Sequence, residues 1–344
     1  MIEIDGSYGE GGGQILRTAL SLSCLLQKPF RIFNIRKGRK RQGLMPQHLT
    51  CIRAAQLLSF AEVKGDQKGS TDLVFSPGQV KGGDFSFDVG TAGSTSLVLQ
   101  TIVPSLVFLK EKSTITLQGG THVPFSPSFH YLKTVFAPFL KKIGIEIQLM
   151  IDSYGFYPKG GGTVRAVIFP SYKPTPLRIT ERGAMISLSG YSCVGNLPLS
   201  IAERQKTALL KKVYSHLRDT RYTTNIELIQ VPTQGQGTFL FLQSEAEHSV
   251  AGFTSLGARG KRAEVVGEEV AQEFLKYFLT GAALDPYLSD QIVLYLYICG
   301  NASLFTTSSI TQHLVTNLWV IGLFHEFHYS IEGKIGEAGK VNIN

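Results

Sequence analysis

The sequence predicts an α+β protein: a large domain of three repeated βαβαββ units, with a small α/β domain inserted into the third. Two small-residue turns are the main observation, because segments 9–20 and 90–101 resemble each other and each leads into an apolar helix. In both copies a β-branched strand, a second helix and a pair of strands follow in the same order. A third, interrupted copy follows towards the end of the chain.

The first unit starts with a short apolar strand at residues 1–5 and a glycine turn at 9–13. Beyond the turn, Ile15, Ala19, Leu22 and Leu26 recur at the spacing of one helix face. A second helix is predicted from Pro46 to about residue 60. Strands at 62–64 and 73–76 complete this unit.

The second and third units follow the same order. In the second, a helix begins near Pro127 and runs to about residue 143, and strands follow at 146–151 and 162–169. The third unit is predicted to consist of a strand near 177–179, a helix from Tyr287, a strand at 302–307, a helix at 311–321, and strands at 327–331 and 340–343.

The segment between the first strand and the first helix of the third unit has a pattern of its own. Strands are predicted at 185–194, 225–230, 238–243 and 250–256, and helices at 198–217 and 263–280. These elements contain enough apolar residues for a small α/β domain. We therefore predict a discontinuous large domain, 1–184 and 281–344, and an inserted domain, 185–280.

Composition indicates a well-packed globular protein, with 43% hydrophobic and 17% charged residues among 344. The longest apolar run, 292–299, is too short to span a bilayer, and the first residues lack the basic region of a signal peptide. We therefore expect a soluble cytoplasmic protein without membrane association. The four cysteines, which form no Cys-x-x-Cys pair, are expected to be reduced core thiols; they are Cys24, Cys51, Cys193 and Cys299.

The positive charge is concentrated in one segment. The net charge is +8, and five of six residues between Arg36 and Arg41 are basic, around Gly38. Such a loop attracts the phosphates of a nucleic acid whatever its sequence. A solvated surface loop is the alternative interpretation.

The glycine turn at 9–13 suits phosphate binding, because glycines let the backbone approach a ligand and direct N–H groups at it. Glu10 is unusual there, since a carboxylate repels phosphate unless a divalent cation lies between them. A Mg²⁺ or Mn²⁺ ligand is therefore one interpretation, and a tight turn with one solvated acid is the other. Likewise Arg17 is either a phosphate contact or an ordinary exposed cation.

His313 follows the hydroxyl-rich segment 306–312 and begins an apolar helix. A histidine in this position is either a hydrogen-bonded structural residue or a nucleophile near a helix N-terminus, where phosphate charge is stabilised. The phosphate-binding loop with Gly-Lys-Ser/Thr and the Gly-x-Gly-x-x-Gly fingerprint are both absent. A bound nucleotide would therefore be held by other means.

Taken together, these residues resemble the RNA 3'-terminal phosphate cyclase family, and the resemblance covers essentially the whole chain. So many ordered matches are far more specific than one glycine turn. The matching motifs are Asp5 to Arg17, Arg36 to Arg39 with Gly43-Leu44, Gln47 to Leu49, Gly82 to Asp84, Leu97 to Thr101, Gly119 to Thr121, Tyr157 to Gly162, Tyr287 to Gln291, and Gln312 to Leu314 with Thr316-Asn317.

The resemblance implies the repeated fold that these cyclases share with enolpyruvyl transferases, and an ATP-dependent reaction that converts an RNA 3'-phosphate into a 2',3'-cyclic phosphodiester. It further implies that the His313 imidazole accepts AMP from ATP and passes it to the RNA 3'-phosphate, and that the 2'-hydroxyl then displaces AMP. The implied partners are ATP, a Mg²⁺ or Mn²⁺ ion and RNA 3'-phosphate ends. The oligomeric state stays open, with a dimer as one alternative.

The resemblance also implies residue roles. Glu10 resembles the metal-binding carboxylate, and Tyr287 is suited to stacking on adenine opposite Pro127. The remaining ATP-binding positions are Gln100, Leu288, Ser289, Asp290 and Gln291, and the phosphate-binding group is Arg17, Arg36, Arg39, Gln47 and His48.

One position departs from the family pattern, since Tyr154 stands where a basic residue is usual. The inserted domain matches only loosely, so no site residues are assigned to it. Alternative functions are a non-catalytic relative that assists ribosome assembly, enolpyruvyl transfer, and a plain RNA-binding module. The presence of His313 argues against the first, and enolpyruvyl transfer would leave His313 and residues 287–291 unexplained.

Overall fold

A computed structural model describes residues 1–172, 174–217, 222–300, 302–326 and 328–344. It confirms the predicted α+β class with three repeated units and an insertion. The first unit consists of β1 (Ile2–Asp5), α1 (Gln14–Leu26), β2 (Phe30–Phe33), α2 (Pro46–Ser59), β3 (Glu62–Lys64) and β4 (Leu73–Ser76).

The first unit forms a four-stranded sheet in the order β1-β2-β4-β3. β1 and β2 are parallel, which requires a crossover connection, and α1 provides it. β4 lies antiparallel between β2 and β3. The helices α1 and α2 carry the apolar residues that pack towards the centre of the molecule.

The second unit repeats this arrangement, with the sheet order β5-β6-β8-β7. The helix predicted over 127–143 is interrupted by a π-helical turn, because apolar spacing does not reveal a widened turn. The elements are β5 (Asp84–Asp88), α3 (Thr95–Leu106), β6 (Ser113–Gly119), α4 (Phe129–Tyr131), the π-turn (Leu132–Phe136), α5 (Ala137–Lys142), β7 (Ile147–Ser153) and β8 (Gly162–Ile168).

The insertion follows the first strand of the third unit, β9 (Arg178–Ile179). Its sheet has the order β11-β10-β12-β13, which differs from the order in the units. The elements are β10 (Met185–Gly195), α6 (Ser200–His216), β11 (Thr223–Gln230), β12 (Gly237–Ala246), β13 (Val250–Leu256) and α7 (Ala263–Thr280).

The third unit then continues with α8 (Pro286–Ile298), β14 (Ser303–Thr307), α9 (Gln312–Phe324), β15 (Tyr329–Glu332) and β16 (Gly339–Ile343). Its sheet order, β9-β14-β16-β15, reproduces the order of the other two units. Phe327, the first residue of the strand predicted over 327–331, lies outside the described residues.

The buried apolar side chains form two clusters. The larger one joins the three units and extends to Phe239 and Phe241 of the insertion, whereas the smaller one lies within the insertion and includes Leu209, Phe253 and Phe274. A separate core supports an inserted domain, although its boundaries at 185 and 280 stay a prediction. The four cysteines are buried, and none of them forms a disulfide within the described residues. Within the described ranges, none of the helices has both the length and the apolar character needed to cross a bilayer.

The segment around the triple glycine joins the second unit to the insertion. The Tyr154 amide donates a hydrogen bond to the Pro232 carbonyl (2.8 Å), and Lys159 donates one to the Gln234 carbonyl (3.0 Å). The Tyr154 hydroxyl lies 3.1 Å from His130 Nε2 and is buried. This segment therefore makes interdomain contacts, and Tyr154 takes part in the packing between the domains.

Each unit carries a histidine in the first turn of its second helix: His48 in α2, His130 in α4 and His313 in α9. Their surroundings differ. His130 is buried among aromatic rings, including those of Tyr191 and Phe239. His48 is also buried, whereas the His313 side chain is 44% exposed.

Candidate active site

A cavity of about 770 Å³ lies where the three units meet the insertion. Its wall brings together seven residues predicted for the site from distant parts of the sequence: Arg17, Gln100, Pro127, Tyr287, Asp290, Gln291 and His313. The first unit contributes Arg17, the second Gln100 and Pro127, and the third the other four. The insertion supplies a further part of the wall.

The glycine turn connects β1 to α1 at the edge of this cavity. Gly9 and Gly11 have φ angles of +58° and +56°, a conformation that side chains disfavour. At Gly13, a Cβ atom would lie 2.4 Å from His48 Nε2 and 2.8 Å from Arg17 Nη1. The absence of a side chain at residue 13 therefore lets two hydrogen-bond donors converge beside the turn.

Arg17 is buried in α1 and has the character of an anion-binding residue. One of its terminal nitrogens donates to Gln14 Oε1 (2.9 Å), whereas Nε is buried and has no hydrogen-bond partner among the described residues. Burial lowers the pKa of Arg17, but a guanidinium stays charged in proteins. A buried cation that faces a cavity is stabilised by an anionic ligand. This burial is at odds with the interpretation of Arg17 as an ordinary exposed cation, and its role as a phosphate contact stays a prediction.

The other predicted phosphate-binding residues are outside the cavity lining. His48 Nδ1 accepts a hydrogen bond from the Met45 amide (3.0 Å), so that Nε2 carries the proton in the neutral ring. Burial, with Arg17 and Arg36 nearby, lowers the pKa of His48 to about 3. Arg36 donates to the Gly43 carbonyl (3.3 Å). Gln47 accepts a bond from the Ser94 amide (3.4 Å).

His313 and Glu10 are in direct contact. Glu10 Oε2 lies 3.2 Å from His313 Nε2 and 3.5 Å from a terminal nitrogen of Arg39. Burial lowers the pKa of His313, and Arg17 and Arg39 lower it further, whereas Glu10 raises it. The lowered pKa favours the neutral imidazole at pH 7, in which one ring nitrogen has a lone pair.

A buried hydrogen-bond network holds the start of α9. Thr311 caps the helix by accepting from the Leu314 amide (2.9 Å), and its hydroxyl donates to Asp290 in α8. Asn317 donates to the Asp290 carbonyl (2.7 Å) and accepts from Thr18 in α1 (2.8 Å). Burial raises the pKa of Asp290 well above its usual range. These bonds fix the position of His313 relative to α1 and α8.

Tyr287 lies at the start of α8 and is 44% exposed. Its ring is perpendicular to that of Tyr131, and the two ring centroids are 6.3 Å apart. Gln291, one turn later, donates to the Tyr287 carbonyl (2.9 Å), and its Oε1 is buried without a partner among the described residues. Leu288 and Ser289 are fully buried in the interior and lie outside the cavity lining.

Asp285, the N-cap of α8, joins three parts of the structure. Its Oδ1 accepts bonds from the Tyr287 and Leu288 amides (2.9 and 2.8 Å) and from the Tyr131 hydroxyl (2.8 Å). Its Oδ2 accepts one from the Gly252 amide of the insertion (3.1 Å). The sequence motif 287–291 did not include this residue, although aspartate before a proline and an apolar helix is an N-cap pattern.

Replacing Asp285 with alanine should lower the free energy of unfolding by about 3 kcal/mol or more, because the N-cap is lost and buried donors are left without partners. Denaturant unfolding measures the change. Asp84→Ala, at an exposed strand position, should alter the free energy by less than about 0.5 kcal/mol. Equal effects of the two substitutions would contradict the structural role given to Asp285.

The inserted domain contributes residues that sequence analysis missed. The cavity is lined by the end of β13 and the loop after it, 254–258, and by one face of α7. The α7 residues that line the cavity are Glu269, Gln272, Glu273 and Lys276. Their helical spacing was the only feature of the sequence that could have indicated this shared face.

Comparisons with known proteins agree on one family. A model of the family described as "RTC: RNA 3'-terminal phosphate cyclase" matches residues 8–331. An RNA 3'-terminal phosphate cyclase from Sulfolobus acidocaldarius is 45% identical over 335 residues, 97% of each chain. One from Ralstonia nicotianae is 42% identical over 97% of this chain and 94% of its own length. One from Pyrococcus furiosus is 41% identical over 100% of this chain and 98% of its own length.

These matches extend over the three units and the insertion alike, and they agree with the motifs from which the resemblance was drawn. The chain belongs to the RNA 3'-terminal phosphate cyclase family.

Proposed function

We propose that this protein uses ATP to convert the 3'-phosphate end of an RNA into a 2',3'-cyclic phosphodiester, through AMP bound covalently to His313. The observation that carries the proposal is the cavity wall that His313 shares with the buried Arg17 guanidinium. A neutral imidazole is a nucleophile, and a desolvated cation beside it stabilises phosphate charge as it develops.

Three displacements at phosphorus make up the reaction. The unprotonated ring nitrogen of His313 attacks the α-phosphorus of ATP; an N–P bond forms and pyrophosphate leaves. An oxygen of the RNA 3'-phosphate then attacks the same phosphorus, breaks the N–P bond and gives RNA(3')pp(5')A. Finally the 2'-hydroxyl attacks the 3'-phosphorus, loses its proton and expels AMP. Activation is needed because a phosphate monoester oxygen is a poor leaving group, whereas AMP leaves readily.

The phosphate groups would be bound by Arg17, Arg36, Arg39, Gln47 and His48. The convergence of Arg17 and the His48 Nε2–H at Gly13 supports this role, because both are donors directed at one space beside the glycine turn. Arginine is suited to phosphate recognition, since its guanidinium can donate two parallel hydrogen bonds.

The nucleotide would occupy the cavity with its base at Tyr287, opposite Pro127. The exposed Tyr287 ring supports stacking, and Gln100, Asp290 and Gln291 supply polar groups around it. The buried, unpartnered Oε1 of Gln291 is suited to accept a hydrogen bond from the ribose or the base. Leu288 and Ser289 would support this segment from the interior.

Glu10 is the candidate ligand for Mg²⁺ or Mn²⁺. Among the described residues, no group of three or more His, Cys, Asp or Glu side chains is arranged to hold a metal ion. A single carboxylate on a glycine turn fits Mg²⁺, which is commonly held by one or two carboxylates and substrate phosphates. When bound, the ion would neutralise phosphate charge. Glu10 also contacts Arg39, which keeps a second positive group beside His313.

The product formed from two matched RNAs tests the proposed function. With ATP and Mg²⁺, an RNA that ends in a 3'-phosphate should acquire a phosphatase-resistant cyclic end. The same RNA with a 2'-deoxy terminal nucleotide cannot cyclise, and should accumulate as the adenylated RNA(3')pp(5')A. Phosphatase-sensitive ends on both RNAs, with no adenylated species, would contradict the proposal.

We place this activity in the cytoplasm.

A further inference from the structure

The inserted domain contacts the site through one polar face of α7. Glu269, Gln272, Glu273 and Lys276 lie at spacings of three, four and seven residues, which places them on the same side of the helix. This face lines the same cavity as the predicted nucleotide-binding residues of α8. On this face Glu273 is half-buried, whereas the other three residues are exposed.

Glu273 makes the direct connection between this face and the site. Its Oε2 accepts a hydrogen bond of 2.8 Å from the Tyr287 hydroxyl. The backbone of Tyr287 is also held, because its amide donates a hydrogen bond to Asp285. The residue is therefore held at its hydroxyl by the insertion and at its backbone by the N-cap of α8.

We propose that Glu273 is a positioning residue for ATP binding, which holds the Tyr287 ring in the orientation that receives the purine. This inference rests on the proposed function and assigns a role to the inserted domain in the affinity for the nucleotide. An aromatic ring stacks well only within a narrow range of orientations, because the offset arrangement is preferred. A carboxylate that accepts a bond from the hydroxyl holds the far end of the ring in place and so restricts swinging of the side chain about its Cα–Cβ bond before the nucleotide arrives.

Glu273→Ala should raise the ATP concentration that gives half-maximal labelling of the protein by about fivefold, because one hydrogen bond to a charged group is lost. The maximal labelling rate should change less than about twofold, since Glu273 does not contact the reacting atoms in this scheme. Tyr287→Phe removes only the hydroxyl and should show the same shift. Glu273→Gln retains an acceptor oxygen and should restore most of the affinity.

The double variant distinguishes positioning from an unrelated effect. If Glu273 acts through the Tyr287 hydroxyl, Glu273→Ala should add nothing in the Tyr287→Phe background. Additive effects would overturn the proposal, as would an unchanged ATP dependence in both single variants. Glu268→Ala, exposed on the same helix, is the matched control, and melting temperatures check folding. If the wild type took no label at all, the proposed function itself would fail, which is a separate outcome.

Discussion

Replacing His313 with alanine should abolish the transfer of label from α-labelled ATP to the protein. The wild type should form an adduct that is labile in acid and stable in alkali, as expected for a phosphoramidate on histidine. Loss of the nucleophile should reduce the labelling rate by at least about a thousandfold, as in other enzymes that lose a nucleophile. Denaturing gels after acid or alkali treatment measure the adduct.

Two controls accompany this prediction. His325→Ala changes an exposed histidine just beyond α9 and should label like the wild type. His313→Asn keeps a polar side chain without an imidazole and should fail to label, while its melting temperature stays near that of the wild type. Equal labelling of His313→Ala and the wild type would rule out the covalent histidine and leave the proposed reaction without its first step.

Replacing Glu10 with alanine should produce the second largest effect, a loss of labelling that depends on the metal concentration. If Glu10 binds the ion, the Mg²⁺ or Mn²⁺ concentration for half-maximal labelling should rise at least about tenfold. The rate at low metal concentration should then fall about a hundredfold, because the phosphate charge is no longer neutralised. A metal titration of the labelling rate measures both quantities.

The contact between Glu10 and His313 provides an alternative cause that the same titration separates. A carboxylate that only orients the imidazole would lower the rate by the same factor at every metal concentration. Glu10→Asp keeps the charge on a shorter side chain and should show an intermediate metal requirement. An unchanged titration in Glu10→Ala would remove this residue from the set of metal ligands.

Local sequence patterns predicted the units well, because each unit is built from short-range signals. Glycine turns, helical spacing and β-branched runs are local, and they indicated nearly every helix and strand. The common sheet order, in which the fourth strand lies between the second and third, was not predicted. That order depends on pairing between distant strands, which no local pattern contains.

The site was only partly predictable for a similar reason. The family motifs identified Arg17 and His313, but only the fold shows that Arg17 is buried and lies on the same cavity wall as His313. Glu273 was missed because a polar face on an amphipathic helix has the same spacing whether it contacts water or a ligand. Asp285 was missed because its partners Tyr131 and Gly252 lie far away in the sequence.

The three equivalent histidines show how a repeated framework can support a single reaction. The same helix start carries an imidazole in all three units, but each ring has different neighbours. His130 is enclosed by aromatic side chains and His48 is fixed by a backbone amide, so neither ring is free to form a new covalent bond. Only His313 combines an accessible edge with an adjacent carboxylate. Symmetry thus supplies three equivalent positions, and local asymmetry distinguishes His313, the proposed nucleophile, from the other two.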